Sequence, residues 1–358
     1  MYALIMASGQ GTRLWPLSRE GKPKQFHPLT SEKTLLRETY ERVTRKFPPD
    51  HIYVAVTQKY LADAREELPE LPEDNFAVEP YATGTAGTIG LVTKIINRRD
   101  PGSVIVCLPS DHLIENPAKF IETLDFAEKI IAQYSTYVLQ IGIKPSSPDT
   151  GLGYIEIGDK TEEMGGQSVF RVKRFVEKPD LETAEDFVSS EKFLWNAGMY
   201  IFKTDFMLGL YEKFLPNTAK ALNDIVQINP TLPPLEKGRG LYARIDQTSI
   251  DYGIIEKIKD ILVIPADFGW SDIGSWGTLL KTLAGMEDTT IISKGHHLDI
   301  GSDNCLVMAG DKLIATVGLS NVIIIDTPDA LLVCDKNRSQ EVKEIIDKLK
   351  KENKGHYL

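Results

Sequence analysis

The sequence predicts an α/β fold, with a doubly wound sheet in its first half and a small β-domain near its end. Short apolar runs with the length of buried strands lie at residues 2–7, 52–57, 104–108 and 137–141. Segments with helical periodicity lie between them, at residues 35–43, 85–96 and 118–131. This alternation is typical of parallel strands joined by right-handed helical crossovers.

The pattern changes after residue 151 and again after residue 284. Shorter strands are predicted at residues 169–177, 198–202 and 261–264, with a proline-rich connection at 230–234. We interpret this stretch as a covering half of the same domain. Apolar runs separated by Gly, Asp and Asn turns then follow at residues 305–308, 313–317, 322–325 and 331–334. That spacing is typical of a small β-domain or β-solenoid, and it divides the chain into domains 1–283 and 284–358.

A last helix is predicted to start near Ser339, a residue type that caps helix N-termini. Val342, Ile345, Ile346 and Leu349 would then lie on one face of the helix. We expect that apolar face to pack against another part of the chain.

The composition is that of an ordinary globular protein. With 358 residues, of which 42% are hydrophobic, the chain can bury the core of a large domain and a smaller one. No run approaches the roughly 20 apolar residues that span a bilayer, and no basic secretory leader opens the sequence. Cys107, Cys305 and Cys334 are odd in number and lie in apolar runs. We therefore expect free, buried cysteines, a cytoplasmic location and no membrane partner.

The charge distribution indicates what the chain binds. A net charge of −10 argues against a nucleic-acid partner, because binding to phosphate backbones requires a basic surplus. The segment from residue 13 to residue 24 differs from this background, since Arg13, Arg19, Lys22 and Lys24 are offset only by Glu20. This local cationic patch predicts an anionic ligand.

A glycine turn follows the first predicted strand. Gly9 and Gly11 would let the backbone approach a phosphate and direct amide groups at its oxygens. A plain strand-to-helix turn would also explain these glycines, and a dinucleotide-binding turn would require a third glycine where Leu14 stands. The cationic side chain of Arg13 favours a bound phosphate.

Lys24 lies in a second loop, between Pro23 and Gln25. Proline stiffens the approach to the lysine, whose ammonium could neutralise phosphate as a point charge. A loop lysine is usually only solvated. Here Arg13 and the glycine turn lie nearby in sequence, close to a strand end of the kind where α/β sheets bind ligands.

Two carboxylates are candidate magnesium ligands. Asp111 follows the strand predicted at 104–108, and Asp272 lies in an aromatic- and glycine-rich segment. Mg²⁺ commonly takes one or two protein carboxylates and completes its shell with water and phosphate oxygens. The alternative for Asp111 is a helix cap. His112 is adjacent, but no residue in the sequence orients it as part of a nucleophile–base pair.

Residues suited to a sugar phosphate lie further along the chain. Glu177 could bind a hydroxyl, and Lys178 a phosphate, although a surface ion pair would also explain the two. The side-chain amide of Asn196 can donate and accept hydrogen bonds beside the aromatic wall of Trp195. A bare turn explains Asn196 almost as well.

Together these motifs resemble the sugar-phosphate nucleotidyltransferases, most specifically the family's bacterial mannose-1-phosphate guanylyltransferases. The matching segments occur in the family's order: GQGTRLWPLSR at 9–19, PKQF at 23–26, PSDH at 109–112, FVEKP at 175–179, WNAGM at 195–199 and GWSDIGSW at 269–276. The resemblance covers most of the first 283 residues. It continues more weakly through residues 313–335, which are similar to the family's C-terminal left-handed β-helix.

The resemblance implies a Rossmann-like doubly wound mixed sheet of GT-A-like type, a short left-handed β-helix and a terminal α-helix. It implies transfer from GTP to mannose 1-phosphate with Mg²⁺, giving GDP-mannose and diphosphate, by a homodimer. The catalytic residues would be Arg13, Lys24, Asp111 and Asp272, of which Asp111 and Asp272 would hold the metal. The nucleotide-binding residues would be Ser8, Gly9, Gly11, Thr12, Arg13, Lys24, Glu79, Pro80, Thr85 and Asp111. The sugar-phosphate-binding residues would be Gly142, Tyr154, Glu177, Lys178 and Asn196.

The chain departs from the family's pattern at a few positions. Ser8 stands where the family usually has glycine, and Ala197 where it has serine. In the loop at 79–87, Gly84 and Gly87 replace the usual asparagine and proline. Glu79 can still accept hydrogen bonds from the amino and imino groups of guanine, a pattern that adenine does not supply.

Three alternatives stay open. The altered loop allows a nucleotidyltransferase for another sugar or base. The β-domain and terminal helix allow a catalytically inert nucleotide-sugar sensor or structural subunit, although the retention of Asp111 and Asp272 argues against it. A dehydrogenase is disfavoured because the glycine turn lacks its third glycine and an acidic ribose partner about twenty residues on.

Overall fold

Residues 1–9, 11–228, 235–287 and 291–358 are described by a computed structural model of the chain. They form two units. Unit 1 comprises Met1–Ser8, Thr39–Ser110 and Ile114–Trp270, and unit 2 comprises Gly9–Glu38, Asp111–Leu113 and Ser271–Leu358. Gln10 and the predicted proline-rich connection at 230–234 lie outside the described residues. The division into domains 1–283 and 284–358 stays a prediction.

The strands of the described residues are β1 (Tyr2–Met6), β2 (Ile52–Thr57), β3 (Phe76–Glu79), β4 (Val104–Pro109), β5 (Leu113–Ile114), β6 (Val138–Ile143), β7 (Gly153–Met164), β8 (Gln167–Glu177), β9 (Phe193–Lys203), β10 (Ile261–Ala266), β11 (Trp270–Ser271), β12 (Ile291–Lys294), β13 (His297–Ile300), β14 (Cys305–Met308), β15 (Ile314–Val317), β16 (Val322–Asp326) and β17 (Leu331–Asp335). The α-helices are α1 (Leu35–Val43), α2 (Leu61–Glu67), α3 (Gly84–Arg99), α4 (Pro117–Gln133), α5 (Leu181–Ser190), α6 (Thr204–Phe214), α7 (Pro216–Ile228), α8 (Leu235–Tyr242), α9 (Ile250–Gly253), α10 (Trp276–Glu287) and α11 (Val342–Lys351). Short 3₁₀ turns include Thr12–Leu14, Lys24–Phe26 and Lys336–Glu341.

Unit 1 contains one sheet with the strand order β3-β2-β1-β4-β9-β6-β10-β8-β7. Strands β1 to β4 are parallel, and β9 runs antiparallel to both β4 and β6. The order β3-β2-β1-β4 is that of a doubly wound sheet, and the antiparallel β9 makes the sheet mixed. The predicted α/β fold is therefore confirmed.

The stretch after residue 151 differs from the prediction of short strands. Strands β7 and β8 form a hairpin of 12 and 11 residues, and β9 has 11 residues. The hairpin turns at Gly165 and Gly166, which both adopt positive φ. Its distal part is mostly exposed and rich in charge, so its sequence lacks the apolar run by which a buried strand is recognised.

Unit 2 ends in a β-helix. Strands β12, β14 and β16 pair in parallel on one face, and β13 pairs in parallel with β15 on another. A parallel bridge between Asp303 and Ser320 adds a third contact between successive turns of the coil. Strand β17 pairs antiparallel with β16 and ends the sheet. The predicted C-terminal β-domain is thus a β-helix.

The terminal helix α11 packs against the core of unit 2 through the apolar face that was predicted. Val342 and Ile346 are buried, and Ile345 and Leu349 pack against the same core. Ser339 is not the helix cap, because α11 begins at Val342 after a 3₁₀ turn. The Ser339 hydroxyl instead accepts a hydrogen bond from the amide of Gly277, at 3.1 Å.

The cysteines are free, as predicted, but only two of the three are fully buried. Cys107 and Cys305 are buried, Cys334 is half-buried, and all three are free. Among the helices in the described part of the chain, none combines the length and apolar character needed to cross a bilayer.

Candidate active site

Unit 2 contains a cavity of about 330 Å³. Its lining residues are Gly11, Thr12, Arg13, Leu14, Lys24, Asp111, His112, Asp272, Ile273, Gly274 and Lys343. All four side chains predicted to be catalytic, Arg13, Lys24, Asp111 and Asp272, therefore line one cavity. They come from four loops, of which only those of Arg13 and Lys24 are close in sequence.

The glycine turn is shaped by its contact with Lys24. Gly11 has φ +57°, and a methyl group on it would overlap the Cβ of Lys24. The next residues form the 3₁₀ turn Thr12–Leu14, and the buried Leu14 anchors it. Gly9 is different, because a methyl group there would meet no atom within 4 Å. The fold therefore requires glycine at Gly11 but not at Gly9.

Lys24 connects the two candidate metal ligands. Its side chain is buried, and its ammonium donates to the Asp111 carboxylate at 3.0 Å and to the carbonyl oxygen of Asp272. The 3₁₀ turn Lys24–Phe26, which begins after Pro23, holds the lysine in this position. A single cation thus ties together the loops that carry Asp111 and Asp272.

The pKa of Asp111 lies below its usual value. Burial raises this pKa, but the positive charge of Lys24 and the neighbouring His112 lower it by more. The His112 ring nitrogen Nε2 lies 3.9 Å from the carboxylate. Asp111 is therefore an anion at neutral pH, which is the form that a metal requires.

The turn that carries Asp272 is strained. Ile273 is fully buried and has φ +44°, a conformation that is unfavourable for a β-branched residue and costs about 1–3 kcal/mol. The Gly274 amide donates to the Asp272 carboxylate at 3.1 Å, and the Ile273 amide donates to the Ser271 hydroxyl at 3.2 Å. These bonds, with that from Lys24, hold the carboxylate at the cavity wall.

The cations of the predicted patch do not all face the cavity, and Lys343, from outside the patch, lines the cavity with Arg13. Arg19 forms a bidentate ion pair with Asp329, at 2.6 and 2.7 Å, and Lys22 is exposed. Arg13 and Lys343 line the cavity, and neither forms a hydrogen bond or ion pair with another residue in the described ranges. Two uncompensated cations on one cavity favour an anionic ligand.

Asp111 and Asp272 fit a hydrated magnesium ion. No group of three or more His, Cys, Asp or Glu side chains among the described residues is arranged to hold a metal. Two carboxylates on one cavity would leave most of the metal's shell to water and phosphate oxygens, as is usual for Mg²⁺ bound with a nucleotide. These two carboxylates are therefore suited to binding Mg²⁺ together with a phosphate ligand, and not on their own.

Glu79 is the centre of a second polar cluster, in unit 1. Its side chain is 1% exposed, and its oxygens accept hydrogen bonds from Thr83, from Thr88 at 2.7 Å and from Ser8 at 3.5 Å. Burial raises the pKa of Glu79, and these bonds offset the effect only in part. The carboxyl group thus orders residues 83–88, whereas its predicted contact with guanine stays a prediction.

Gly84 and Gly87 have packing roles in the same loop. Gly84 has φ +82°, and a methyl group on it would overlap the carbonyl oxygen of Thr248. A methyl group on Gly87 would overlap the Thr83 side chain and lie 3.0 Å from Ile245 Cγ2. The two departures from the family's pattern bring the start of α3 unusually close to neighbouring backbone and side chains. The predicted residue Thr85 accepts from the Ile250 amide at 2.9 Å.

Asn196 belongs to a third cluster, which is also in unit 1. Its amide nitrogen donates to Asp251 at 3.3 Å, and its oxygen accepts from the Gly198 amide at 3.0 Å. The Tyr200 hydroxyl also donates to Asp251. Burial raises the pKa of Asp251, the bond from Tyr200 lowers it, and the nearby charge of Glu177 raises it further.

Sequence reasoning did not identify Asp251 as part of this cluster. It lies in the short helix α9, whose only local signal is the cap at Ser249, which accepts from the Tyr252 amide. Its partners are 55 and 51 residues away in sequence. No local pattern relates residues at such separations.

Glu177 lies close to Asn196 because Gly153 has no side chain. A Cβ at Gly153 would be 2.5 Å from the Glu177 carboxylate and 3.5 Å from Asn196 Cβ. Lys178 has φ +46° and pairs with Glu177, so the alternative interpretation as a surface ion pair stays open.

The remaining predicted sugar-phosphate residues are buried in the sheet beside this cluster. Gly142 is paired with Asn196 across β6 and β9, and Leu194 and Val263 leave no space for a side chain there. Tyr154 is fully buried, and its hydroxyl donates to the carbonyl oxygen of Asp149 at 3.0 Å. Both residues support the strands that carry Glu177 and Asn196, and their contact with a sugar phosphate stays a prediction.

Comparisons with known proteins agree with the fold and the motifs. Residues 2–289 match the family model described as nucleotidyl transferase, and residues 295–349 match the MannoseP isomerase/GMP-like beta-helix domain. Xanthan biosynthesis protein XanB from Xanthomonas campestris pv. campestris is 36% identical over 97% of this chain and 73% of its own length. Mannose-1-phosphate guanylyltransferase from Salmonella muenchen is 32% identical over 99% of this chain and 74% of its own.

A solved structure is similar over nearly the whole chain. The Thermus thermophilus protein named mannose-1-phosphate geranyltransferase is 31% identical, with a TM-score of 0.85 over 98% of this chain and 99% of that one. The two matched models together span both the mixed sheet and the β-helix. The chain belongs to the nucleotidyl transferase family.

Proposed function

We propose that the chain is a mannose-1-phosphate guanylyltransferase, which converts GTP and mannose 1-phosphate into GDP-mannose and diphosphate. The observation that carries this proposal is the unit 2 cavity, where Lys24 bridges Asp111 and Asp272 beside Arg13, which forms no ion pair with another described residue. The name of the Salmonella muenchen relative supports the choice of substrates.

The cavity residues would bind the triphosphate. Arg13 and Lys24 would neutralise phosphate oxygens, and the backbone of Gly11 and Thr12 would follow the phosphate chain. Ser8 and Gly9 do not line this cavity, and their contact with the nucleotide stays a prediction. Gly11 is shaped by its packing against Lys24. Charge neutralisation by fixed cations is the main catalytic contribution expected for this chemistry.

Asp111 and Asp272 would hold Mg²⁺. A bound magnesium ion neutralises charge on phosphate oxygens and so favours departure of the diphosphate. The low pKa of Asp111 supports its assignment, since the carboxylate is ionised without needing a metal to displace its proton.

The reaction is an in-line displacement. A phosphate oxygen of mannose 1-phosphate attacks the α-phosphorus of GTP and forms a new P–O bond. The bond from the α-phosphorus to the bridging oxygen breaks, and diphosphate leaves with the electron pair. The attacking phosphate is already an anion at neutral pH, so the step needs no general base. Positioning and cationic stabilisation by Arg13 and Lys24 account for the rate.

The remaining predicted nucleotide and sugar-phosphate contacts are assigned to residues of unit 1. Glu79, Pro80 and Thr85 would serve the nucleotide, with Glu79 acting through the hydroxyls of Thr83 and Thr88 that it orders. The sugar phosphate would be bound by Glu177, Lys178 and Asn196, with Gly142 and Tyr154 beside them. Support for the second group comes from the close approach of Glu177 and Asn196 at Gly153.

A nucleotidyltransferase with another base preference is a second candidate. Gly84 and Gly87 favour it, because they differ from the asparagine and proline that the resemblance implies, and their close packing gives the loop after Glu79 a conformation that a side chain there would not allow. Product formation with mannose 1-phosphate and GTP, ATP, UTP or dTTP separates the candidates. We expect GTP to be preferred, and equal or better use of another nucleotide would reject guanylyl transfer as the main activity.

We also propose a cytoplasmic homodimer. Leu298, Ile300 and Val317 on strands β13 and β15 are 61%, 70% and 66% exposed. Apolar side chains clustered on one sheet face favour burial against a second subunit. Sedimentation velocity should give twice the mass of one chain, and a Leu298→Glu, Ile300→Glu variant should sediment as a monomer. A wild-type monomer at micromolar concentration would reject this assembly.

A further inference from the structure

Lys343 is a cavity residue that no sequence motif identifies. It lies in the first turn of the terminal helix α11, at the end of the chain most distant in sequence from the glycine turn. It nevertheless lines the same cavity as Arg13, Lys24, Asp111 and Asp272.

The position of Lys343 is fixed by the core of unit 2. The adjacent Val342 is 2% exposed and Ile346 is 5% exposed, and both pack in the core that contains Leu14. Leu14 directly follows Arg13. The backbones that carry Lys343 and Arg13 are therefore held by one set of apolar contacts.

Further contacts attach the end of the chain to the glycine turn. The indole nitrogen of Trp15 donates to the carbonyl oxygen of Tyr357 at 2.8 Å, and that of Trp276 donates to the Trp15 carbonyl oxygen at 2.9 Å. The segment after the β-helix is thus packed against the residues that follow the glycine turn.

The charge of Lys343 is not compensated. Within the part of the chain that the structure describes, Lys343 makes no hydrogen bond or ion pair, although Glu344 and Asp347 lie on the same helix. Lys24 is paired with Asp111, whereas Arg13 has no ion-pair partner among the described residues. Two uncompensated cations on one cavity favour a ligand with two or more negative charges, as a polyphosphate has.

We propose that Lys343 binds the β- and γ-phosphates of the nucleoside triphosphate, and the inorganic pyrophosphate formed from them. This makes the terminal helix part of the active site and gives a substrate-binding role to a segment that otherwise serves packing. The proposal rests on the proposed function, since it concerns the triphosphate of that reaction. It assigns Lys343 to the nucleotide and not to the sugar phosphate.

Binding of inorganic pyrophosphate to the full chain tests this role without requiring turnover. Isothermal titration calorimetry with magnesium pyrophosphate compares wild type, Lys343→Gln, Lys343→Arg and the matched control Lys350→Gln, which removes an exposed charge from the same helix. We expect about tenfold weaker binding in Lys343→Gln, with near-wild-type binding in Lys343→Arg and Lys350→Gln.

Steady-state kinetics provide the second measurement. In Lys343→Gln the KM for GTP should rise by about the same factor, while the KM for mannose 1-phosphate stays unchanged. Equal pyrophosphate affinity in Lys343→Gln and Lys350→Gln would overturn the proposal. Failure of the proposed function would be distinct, since wild type would then form no GDP-mannose, whatever the pyrophosphate affinities of the variants.

Discussion

The ammonium of Lys24 lies 3.0 Å from the carboxylate of Asp111. Because the same ammonium donates to the Asp272 carbonyl oxygen, Lys24 fixes the arrangement of both loops that carry candidate metal ligands. One buried cation therefore has a structural and an electrostatic role. Substitutions around Lys24 should therefore separate the effect of its packing on stability from the effect of its charge on the Asp111 pKa.

Gly11 and Gly9 make a matched pair of substitutions. Gly11→Ala should lower the free energy of unfolding by about 2 kcal/mol, because the methyl group meets Lys24 Cβ and the residue has positive φ. Gly9→Ala should change it by less than about 0.5 kcal/mol, since the site is open. Urea denaturation at neutral pH measures both. Equal stability of the two variants would show that the contact with Lys24 is unimportant.

The low pKa of Asp111 gives a pH prediction. A carboxyl whose pKa is depressed on folding stabilises the native state above its unfolded-state pKa, and this stabilisation is lost as the pH falls through the folded-state pKa. The difference in unfolding free energy between wild type and Asp111→Asn should be constant from about pH 8 to about pH 5, and should shrink below about pH 4.

Urea denaturation across this pH range is the measurement for Asp111. Asp267→Asn is a suitable control, because Asp267 is an exposed carboxylate whose side chain is 89% accessible. A wild type that instead gains stability relative to Asp111→Asn as the pH falls from about 7 to about 6 would mean that the Asp111 pKa is raised and that Lys24 does not dominate it.

Glu79→Gln distinguishes loop ordering from base recognition. If Glu79 acts through Thr83 and Thr88, Gln should preserve the ratio of kcat/KM for GTP over ITP, even if both values fall. Inosine lacks the 2-amino group, so the ratio reports hydrogen bonds to that group. We expect the ratio to change by less than about twofold, whereas loss of a direct bond would reduce it by about tenfold.

Asp251 should act as a positioning residue for Asn196. Asp251→Ala removes the acceptor of Asn196 and Tyr200, and should raise the KM for mannose 1-phosphate by about tenfold with the KM for GTP unchanged. Asp251→Asn keeps an acceptor oxygen and should recover most of the loss. Glu256→Ala removes a neighbouring exposed carboxylate and should leave both constants unchanged. Equal increases in both KM values would indicate a general structural defect instead.

The sequence predicted the strands and helices that have a clear apolar pattern along the chain. The buried strands of the first half and helices α1, α3 and α4 have apolar periodicity, and their boundaries lie within a few residues of those observed. Strand β8 was predicted nearly in full at residues 169–177, but β7 was missed because much of it is exposed and charged and lacks an apolar run. Ser339 resembled a helix cap, but its hydroxyl is engaged by Gly277.

Site residues could be predicted from the sequence where they lie within a recognisable loop motif. Arg13, Lys24, Asp111 and Asp272 each follow a recognisable turn, and they line one cavity. Asp251 and Lys343 carry no such signal, since their roles arise from packing between distant segments. The pairing of Lys24 with Asp111 is likewise a tertiary contact that spacing alone does not specify.

Diphosphate release from GTP and mannose 1-phosphate with Mg²⁺ tests the central assignment most directly. It should be measured for wild type, Lys24→Ala, Asp111→Asn, Asp272→Asn and the exposed control Lys22→Ala. We expect each of the three cavity variants to lose at least about a hundredfold in kcat, because fixed charges at the transferring phosphate supply most of the rate, while Lys22→Ala matches wild type. Near-wild-type release by both Asp variants, or no release by wild type with any nucleotide, would contradict the account.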